Sequence, residues 1–242
     1  LIAFPLLIAL LMLVTPNDTV RTWVVRLSAL GIIAVSLLLL VTGYDKGAVY
    51  YPFASEPYGN LMFLIGLAIA AYILYKGIRH KQYVAIALVT VQTALMVAYE
   101  VICAHGIEAH NNLFSDEFSI IMALIIGIIG SLICVYSLGY MQMFHHHHPE
   151  VRDRRRGFFF VMFAFLSAMF GLVFANNIVW LYFFWEVTTL CSFILIGYTE
   201  TEEATKNAFW ALVLNLLGGI AFVGAILYLA TLGGGAMGLD EI

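Results

Sequence analysis

A single glutamate interrupts the stretch LYFFWEVTTLCSF, Leu181 to Phe193, whose other residues are apolar, aromatic or small hydroxyl and thiol types. An ionised side chain in such an apolar setting costs roughly 2.5–3.5 kcal/mol on membrane-insertion scales, so Glu186 calls for a purpose. Two kinds of chemistry fit it. One is a carboxyl that takes up and releases a proton in transit; the other is a protonated acid that only hydrogen-bonds a neighbouring helix. Thr189 follows at i+3 on the same helical face. Asn215, Gln92 and Thr93 stand mid-way along other apolar segments and have the groups to hold water near a carboxyl. Most hydroxyls in such segments bond their own helix backbone instead, and no one of these residues is singled out. Glu100 is the other carboxylate within an apolar segment, close to its end and just before Cys103-Ala104-His105-Gly106, where an interfacial structural role is expected.

Nucleophile and metal chemistry find less support. Cys103, Cys134 and Cys191 all fall within apolar segments, show no CxxC pairing and read as packing residues. The run Phe144-His145-His146-His147-His148-Pro149 invites a metal, but ligands need spacing and oriented supporting partners. Followed by Glu150 and the basic cluster Arg152–Arg156, it reads as a solvated basic loop. Phe158, Phe159, Phe160, Phe163, Phe165 and Phe170 read as lipid-facing and packing material. No dinucleotide-binding glycine fingerprint and no haem-type histidine pair within the apolar segments is present.

The elements that must hold Glu186 are helices in a bilayer. Of 242 residues, 63% are hydrophobic and 11% charged, against about a quarter charged in soluble domains; the mean hydropathy is +0.97. The apolar runs are continuous and long enough to cross hydrocarbon as helices, without the alternation of a membrane β-barrel. The fold class is therefore an all-α, polytopic membrane bundle of about eight transmembrane helices. The spans run approximately over 1–14, 24–43, 59–76, 82–104, 118–141, 157–175, 178–198 and 205–231. Between them, Thr15-Pro16-Asn17-Asp18, Tyr51-Pro52, Glu56-Pro57 and Asn176-Asn177 supply turn chemistry. Alternating spans put Arg21, Arg26, Lys76, Arg79, Lys81, Arg152, Arg154, Arg155, Arg156 and Lys206 on one side and only Lys46 on the other. Short-loop Lys and Arg mark the cytoplasmic face, so the N-terminus is expected outside. Lys206 opens the last span, where snorkelling explains it without further function.

Several stretches in order resemble one family. They are Ser115-Asp116-Glu117-Phe118-Ser119 leading to Met122, Val135-Tyr136-Ser137-Leu138-Gly139-Tyr140-Met141 and Arg156-Gly157-Phe158-Phe159. Phe184-Trp185-Glu186, Leu190-Cys191-Ser192-Phe193 with Leu195-Ile196-Gly197, and Ala204-Thr205-Lys206-Asn207-Ala208-Phe209 follow. Over roughly residues 60–231 the chain is similar to the antiporter-like proton-translocating subunit shared by respiratory complex I, energy-converting membrane-bound hydrogenases, formate hydrogenlyases and Mrp-type antiporters. The resemblance implies that Glu186 is the family's intramembrane proton-path glutamate and that Lys206 is the lysine opening the following helix. It implies a domain division into residues 1–43, two helices outside the match, and 44–242, the N-terminal half of an antiporter-like domain whose second half, with the lysine that modulates the glutamate, is missing from this sequence.

The function so implied is a proton- or cation-translocating subunit of a redox-driven complex, such as an energy-converting hydrogenase or an NADH:quinone oxidoreductase. A Mrp-type Na⁺/H⁺ antiporter subunit without redox partners, or a non-transporting scaffold, is the alternative. No catalytic, cofactor-binding or metal-binding residue is assigned. Iron–sulfur clusters and a flavin or nickel–iron centre are expected in partner subunits, so whether the chain counts as part of an enzyme stays open. Other membrane subunits, peripheral redox subunits and the lipid bilayer are the expected partners, and nucleic acid is not. The expected location is multi-pass in the cell (plasma) or inner membrane. In a cysteine-free background, Lys81→Cys is expected to react with impermeant maleimide only from the cytoplasmic side and Lys46→Cys only from the outside; labelling of both from one side breaks the assignment.

Overall fold

The computed structural model describes residues 1–51, 55–103, 111–232, 235 and 237–241, and of 55–57 the backbone alone. Its helices are α1 (Ala3–Val14), α2 (Asp18–Gly43), α3 (Ser55–Arg79), α4 (Tyr83–Ile102), α5 (Glu117–Ile125), α6 (Ser131–His147), α7 (Arg155–Phe174), α8 (Ile178–Ile196) and α9 (Glu202–Thr231). Two short strands, β1 (Val49–Tyr51) and β2 (Leu113–Ser115), form a two-stranded sheet. A π-helical turn, Ile126–Gly130, joins α5 to α6 into one apolar helix over Glu117–His147. Among the described residues seven helices are long and apolar enough to cross a membrane, and α1 is a shorter apolar one. The protein is an all-α polytopic membrane protein. Helices satisfy their own backbone polar groups, which hydrocarbon cannot do for them.

Helix starts are capped by the turn residues. Asn17 accepts from Thr19 N at 2.8 Å, Asn177 from Val179 N at 2.8 Å, and Asp116 forms a reciprocal capping box with Ser119. Three boundaries differ from those read in the sequence. Asn17 caps α2 at Asp18 rather than near 24. Glu56-Pro57 falls in the first turn of α3, where proline is tolerated because its missing N–H has no helical partner. Helix α6 runs on through His147, so three of the four histidines are helical rather than in a loop. Pro52, and His105 and Gly106 beyond Glu100, lie outside the described residues.

The chain divides into two compact units. The first comprises Leu1–Val49, Ser115–Val173 and Tyr198–Thr201. Here α2 packs along α5, the π turn and α6, with α1 against α2. Phe159, Phe163 and Phe170 are fully buried, as are Met12, Ile32, Ile120 and Met141, so these phenylalanines are core and do not face lipid. Ser36 on α2, itself bonded back to Ile32 O at 2.8 Å, sits against Gly127 in the π turn. A Cβ built at Gly127 would lie 2.9 Å from the Ser36 Cβ.

The second unit comprises Tyr50–Phe114, Phe174–Gly197 and Glu202–Ile242. Helices α4 and α8 both pack on α9, and α3 packs on α4 and α8. Two apolar clusters fill it. One gathers Ile69, Ile73, Val89, Phe193, Phe209, Leu212 and Leu216; the other gathers Tyr99, Ile178, Tyr182, Val223, Ile226 and Met237. One end is closed by asparagines. Asn177 Nδ2 donates to Asn112 Oδ1 at 2.7 Å, and Asn176 Nδ2 donates to Asn111 O at 2.9 Å and Asp240 Oδ1 at 2.6 Å. Leu239 N returns to Asn176 O at 2.7 Å and Ile178 N reaches Met237 O at 2.9 Å, so these buried backbone groups keep their partners.

Gly127→Leu is expected to destabilise the protein by about 1–3 kcal/mol, as overpacking of a filled core does. Gly139→Ala, a position with open space around it, serves as control. Thermal unfolding of the detergent-purified protein checks this, and equal midpoints for the two variants would show that the contact at Ser36 is loose.

Candidate functional site: a buried carboxyl between two apolar clusters

Glu186 is the ninth of the 19 residues of α8, about 12 Å from the helix start at 1.5 Å per residue. Gln92 is the tenth of the 20 residues of α4. Both are buried, at 8% and 3% exposure. The Gln92 amide Nε2 donates to Glu186 Oε1 at 2.5 Å and to the Tyr182 hydroxyl oxygen at 2.7 Å. Tyr182 precedes Glu186 by one turn on α8, and the shared Gln92 amide places its hydroxyl beside the carboxyl. Carboxyl, amide and phenol thus form a triangle joined through the amide, and Gln92 Oε1 is buried with no hydrogen-bond partner. The triangle lies between the two apolar clusters: on α4, Gln92 falls between Val89 and Tyr99; on α8, Glu186 falls between Tyr182 and Phe193.

Helix α9 supplies the third wall. Gly218 lies against Trp185, where a Cβ would stand 3.6 Å from the indole ring, and Gly219 lies against Gln92. A Cβ at Gly219 would come within 2.8 Å of the Gln92 amide, closer than such atoms approach, so only glycine leaves the amide room.

The other sequence candidates are placed elsewhere. Asn215 donates back to Ala211 O at 3.1 Å, within its own helix. Thr189 is buried on the Glu186 face. Glu100 is half-buried, two residues from the end of α4. Lys206 is exposed, one turn inside α9, and no ion pair links it to Glu186. The antiparallel register of α8 and α9 sets their separation. Tyr182 meets Phe222 (ring centroids 5.7 Å), Trp185 meets Gly218, and Phe193 meets Phe209 (5.0 Å), so Lys206 lies level with the end of α8. On this register Glu186 is level with about residue 217 of α9, eleven residues from Lys206, or about 16 Å along the axis.

Gln92 belonged to a set of polar residues that the sequence does not rank, and Tyr182 was not singled out at all. Its i−4 spacing from Glu186 was the available signal, but aromatic residues crowd α8 on every face.

The basic cluster of the first unit forms a second polar assembly. His145 Nε2 lies 2.8 Å from the Tyr198 hydroxyl and 3.8 Å from Asp153 Oδ1, with its side chain only 11% exposed. Arg154 donates to Tyr198 O at 2.5 Å, stacks over its ring and pairs with Glu200. Arg155 bridges Asp153 at 2.7 Å and Asp18 at 3.0 Å. His145, Arg154 and Arg155 are thus held in place, whereas His146, His147, Arg152 and Arg156 are exposed as a solvated basic loop would have them. Among the described residues, no three His, Cys, Asp or Glu side chains are grouped to hold a metal.

Residues 103–160 match the family described as "NADH-Ubiquinone oxidoreductase (complex I), chain 5 N-terminus". Residues 175–242, which contain Glu186, match that described as "NADH:quinone oxidoreductase/Mrp antiporter, TM". The chain belongs to the antiporter-like family of membrane subunits. It is 32% identical over 132 residues to the Na(+)/H(+) antiporter subunit A1 of Staphylococcus haemolyticus, a stretch covering 54% of this chain and 15% of that protein. It is 32% identical over 120 residues to the Na(+)/H(+) antiporter subunit A1 of Staphylococcus aureus strain JH9, covering 49% of this chain and 14% of that protein. The matched stretch thus spans a small fraction of the length of these curated relatives. Glu186 and Lys206 fall within the second family match; Gln92 falls in neither. With its family and its seven long apolar helices, the chain is a multi-pass protein of the cell membrane.

Outside the membrane spans, the hydrogen-bonded Arg155 guanidinium holds the Asp153 carboxyl down at about 2, below the usual aspartate value of about 3.9. A depressed carboxylate contributes stability above its unfolded pKa and loses it as pH falls through the folded value. The α6–α7 loop is therefore expected to keep constant hydrogen-exchange protection from pH 8 to pH 5, and to lose it between about pH 4 and pH 2. Asp153→Asn is expected to lack protection across the whole range; protection that already falls between pH 7 and 5 would point to another group.

Proposed function

We propose that the chain is part of a cation-translocating membrane subunit in which Glu186 carries a proton across the middle of the bilayer. The single observation behind this is the carboxyl itself: buried mid-span, held by neutral partners, and lacking an ion pair among the described residues. A structural acid needs only one neighbour. Here a flexible amide and a hydroxyl offer alternative donors and acceptors, so the group can be neutral or ionised without rebuilding the helices.

The relatives named Na(+)/H(+) antiporter subunit A1 favour exchange of Na⁺ for H⁺ within a Mrp-type assembly of membrane subunits. The family descriptions naming NADH:quinone oxidoreductase favour a second reading, a proton-translocating subunit of a redox-driven complex whose electron carriers reside in peripheral partners. Lys206, about 16 Å along the axis from the level of Glu186 and exposed near the start of α9, is assigned to the mouth of the same path rather than to direct contact. Residues 1–43 are assigned to two helices outside the antiporter-like part and 44–242 to its N-terminal half. With the N-terminus outside, the Lys206 end of the path is cytoplasmic.

The test uses the full-length subunit in its native complex, reconstituted into vesicles with a pH-sensitive dye. Glu186→Gln is expected to abolish Na⁺-driven or redox-driven pH change while assembly survives, and Lys206→Ala to slow it severalfold. Retained coupling in Glu186→Gln returns the glutamate to a structural role. Activity that needs only a Na⁺ gradient selects the antiporter, whereas activity that needs a reductant, with iron–sulfur or nickel–iron proteins co-purifying, selects the redox-driven complex.

A further inference from the structure

We propose that Gln92 is a positioning residue for Glu186 that follows the protonation of the carboxyl by turning its amide over, with Gly219 providing the space for the turn. This rests on Glu186 being the proton carrier. In the structure Nε2 faces Glu186 and Tyr182, and Oε1 is left buried without a partner. That arrangement suits an ionised carboxylate, which only accepts hydrogen bonds. When Glu186 takes up a proton, its O–H becomes a donor and an amide N–H facing it becomes a mismatch. A half-turn about the Gln92 Cγ–Cδ bond restores the match. The carbonyl Oε1 then accepts from the Glu186 O–H and from the Tyr182 O–H, and Nε2 takes the unpaired place.

Two features make the half-turn feasible. Each orientation leaves one amide group without a partner, Oε1 in one and Nε2 in the other, so neither is locked by a full set of hydrogen bonds. The steric surroundings are also indifferent to which atom is where. The Cβ position at Gly219 lies 2.8 Å from Nε2 and 2.8 Å from Oε1, so the end of the amide lies flat over the glycine and exchanging its two atoms creates no new contact. With any side chain at residue 219 the amide is displaced from this place. The groups facing the carboxyl are then Gln92 from α4 and Tyr182 from its own helix, with Gly219 of α9 lying against the Gln92 amide. No charged side chain is hydrogen-bonded or ion-paired to Glu186 among the described residues.

Gln92→Met tests this, because methionine keeps the length of the side chain and fills the space without an amide. Gly219→Ala keeps the amide but denies it its place. In the reconstituted full-length complex, infrared difference spectra give the carboxyl C=O band of protonated Glu186, assigned by its loss in Glu186→Gln. Gln92→Met is expected to move this band to higher frequency and slow ion transport at least tenfold. Gly219→Ala is expected to move it in the same direction, and it decides the matter if Gln92→Met does not assemble. A carboxyl band at its wild-type frequency in both variants, or transport in Gln92→Met within twofold of wild type, overturns the assignment. If Glu186→Gln itself still transports, the proton-carrier role fails; if Glu186→Gln is inactive while Gln92→Met is not, only the role of Gln92 fails.

Discussion

A carboxyl placed half-way across hydrocarbon has to find its hydrogen bonds inside the protein, and this requirement organises the second unit. Glu186 finds its partner in the Gln92 amide, brought by α4, and the same amide holds the Tyr182 phenol beside it. The consequences spread outward in order. Gln92 must sit at mid-span on α4, α9 must present glycine where that amide lies, and Trp185 must rest on the adjacent Gly218. Apolar clusters above and below then seal the triangle from both ends. Each cluster is ordinary packing, but their separation is set by the polar layer between them.

The helix ends meet the same demand with different chemistry. Where the chain turns at Asn176 and Asn177, side-chain amides and returning backbone satisfy groups that no helix can. In the first unit, Tyr198 gathers His145 and Arg154, while Arg155 joins Asp153 to Asp18. Arginine suits these places because its planar fork serves two acceptors at once. Arg21, Arg154 and Arg155, three of the basic residues at the helix ends, are thus tied into ion pairs and serve as structural joints.

Much of this was legible in the sequence, and the parts that were not have identifiable causes. The seven long apolar helices among the described residues follow from apolar length, and the mid-span depth of Glu186 follows from its place in one of them. Boundaries slipped where a cap or an interior face decided them: Asn17 starts α2 early, and the buried side of α6 carries the helix on to His145, which packs against Tyr198. Gln92 was one of several mid-span polar residues. What distinguishes it is the absence of a side chain at Gly219, more than a hundred residues away, and no helical period encodes that. Phe159, Phe163 and Phe170 have the same composition whether they face lipid or core, so only the packing of α7 separates the two.

The neutral character of the Glu186 site has a mechanistic consequence. A lysine in direct contact would hold the carboxyl ionised through a strong local field, and releasing the proton would then need that field to change. With an amide as its hydrogen-bond partner among the described residues and a phenol beside it, the two protonation states differ by the direction of a few hydrogen bonds. Charges farther away act on such a group without touching it, because interactions across a low-dielectric interior fall off slowly. Local hydrogen bonding would then set how readily the carboxyl changes state, and remote charge would set when.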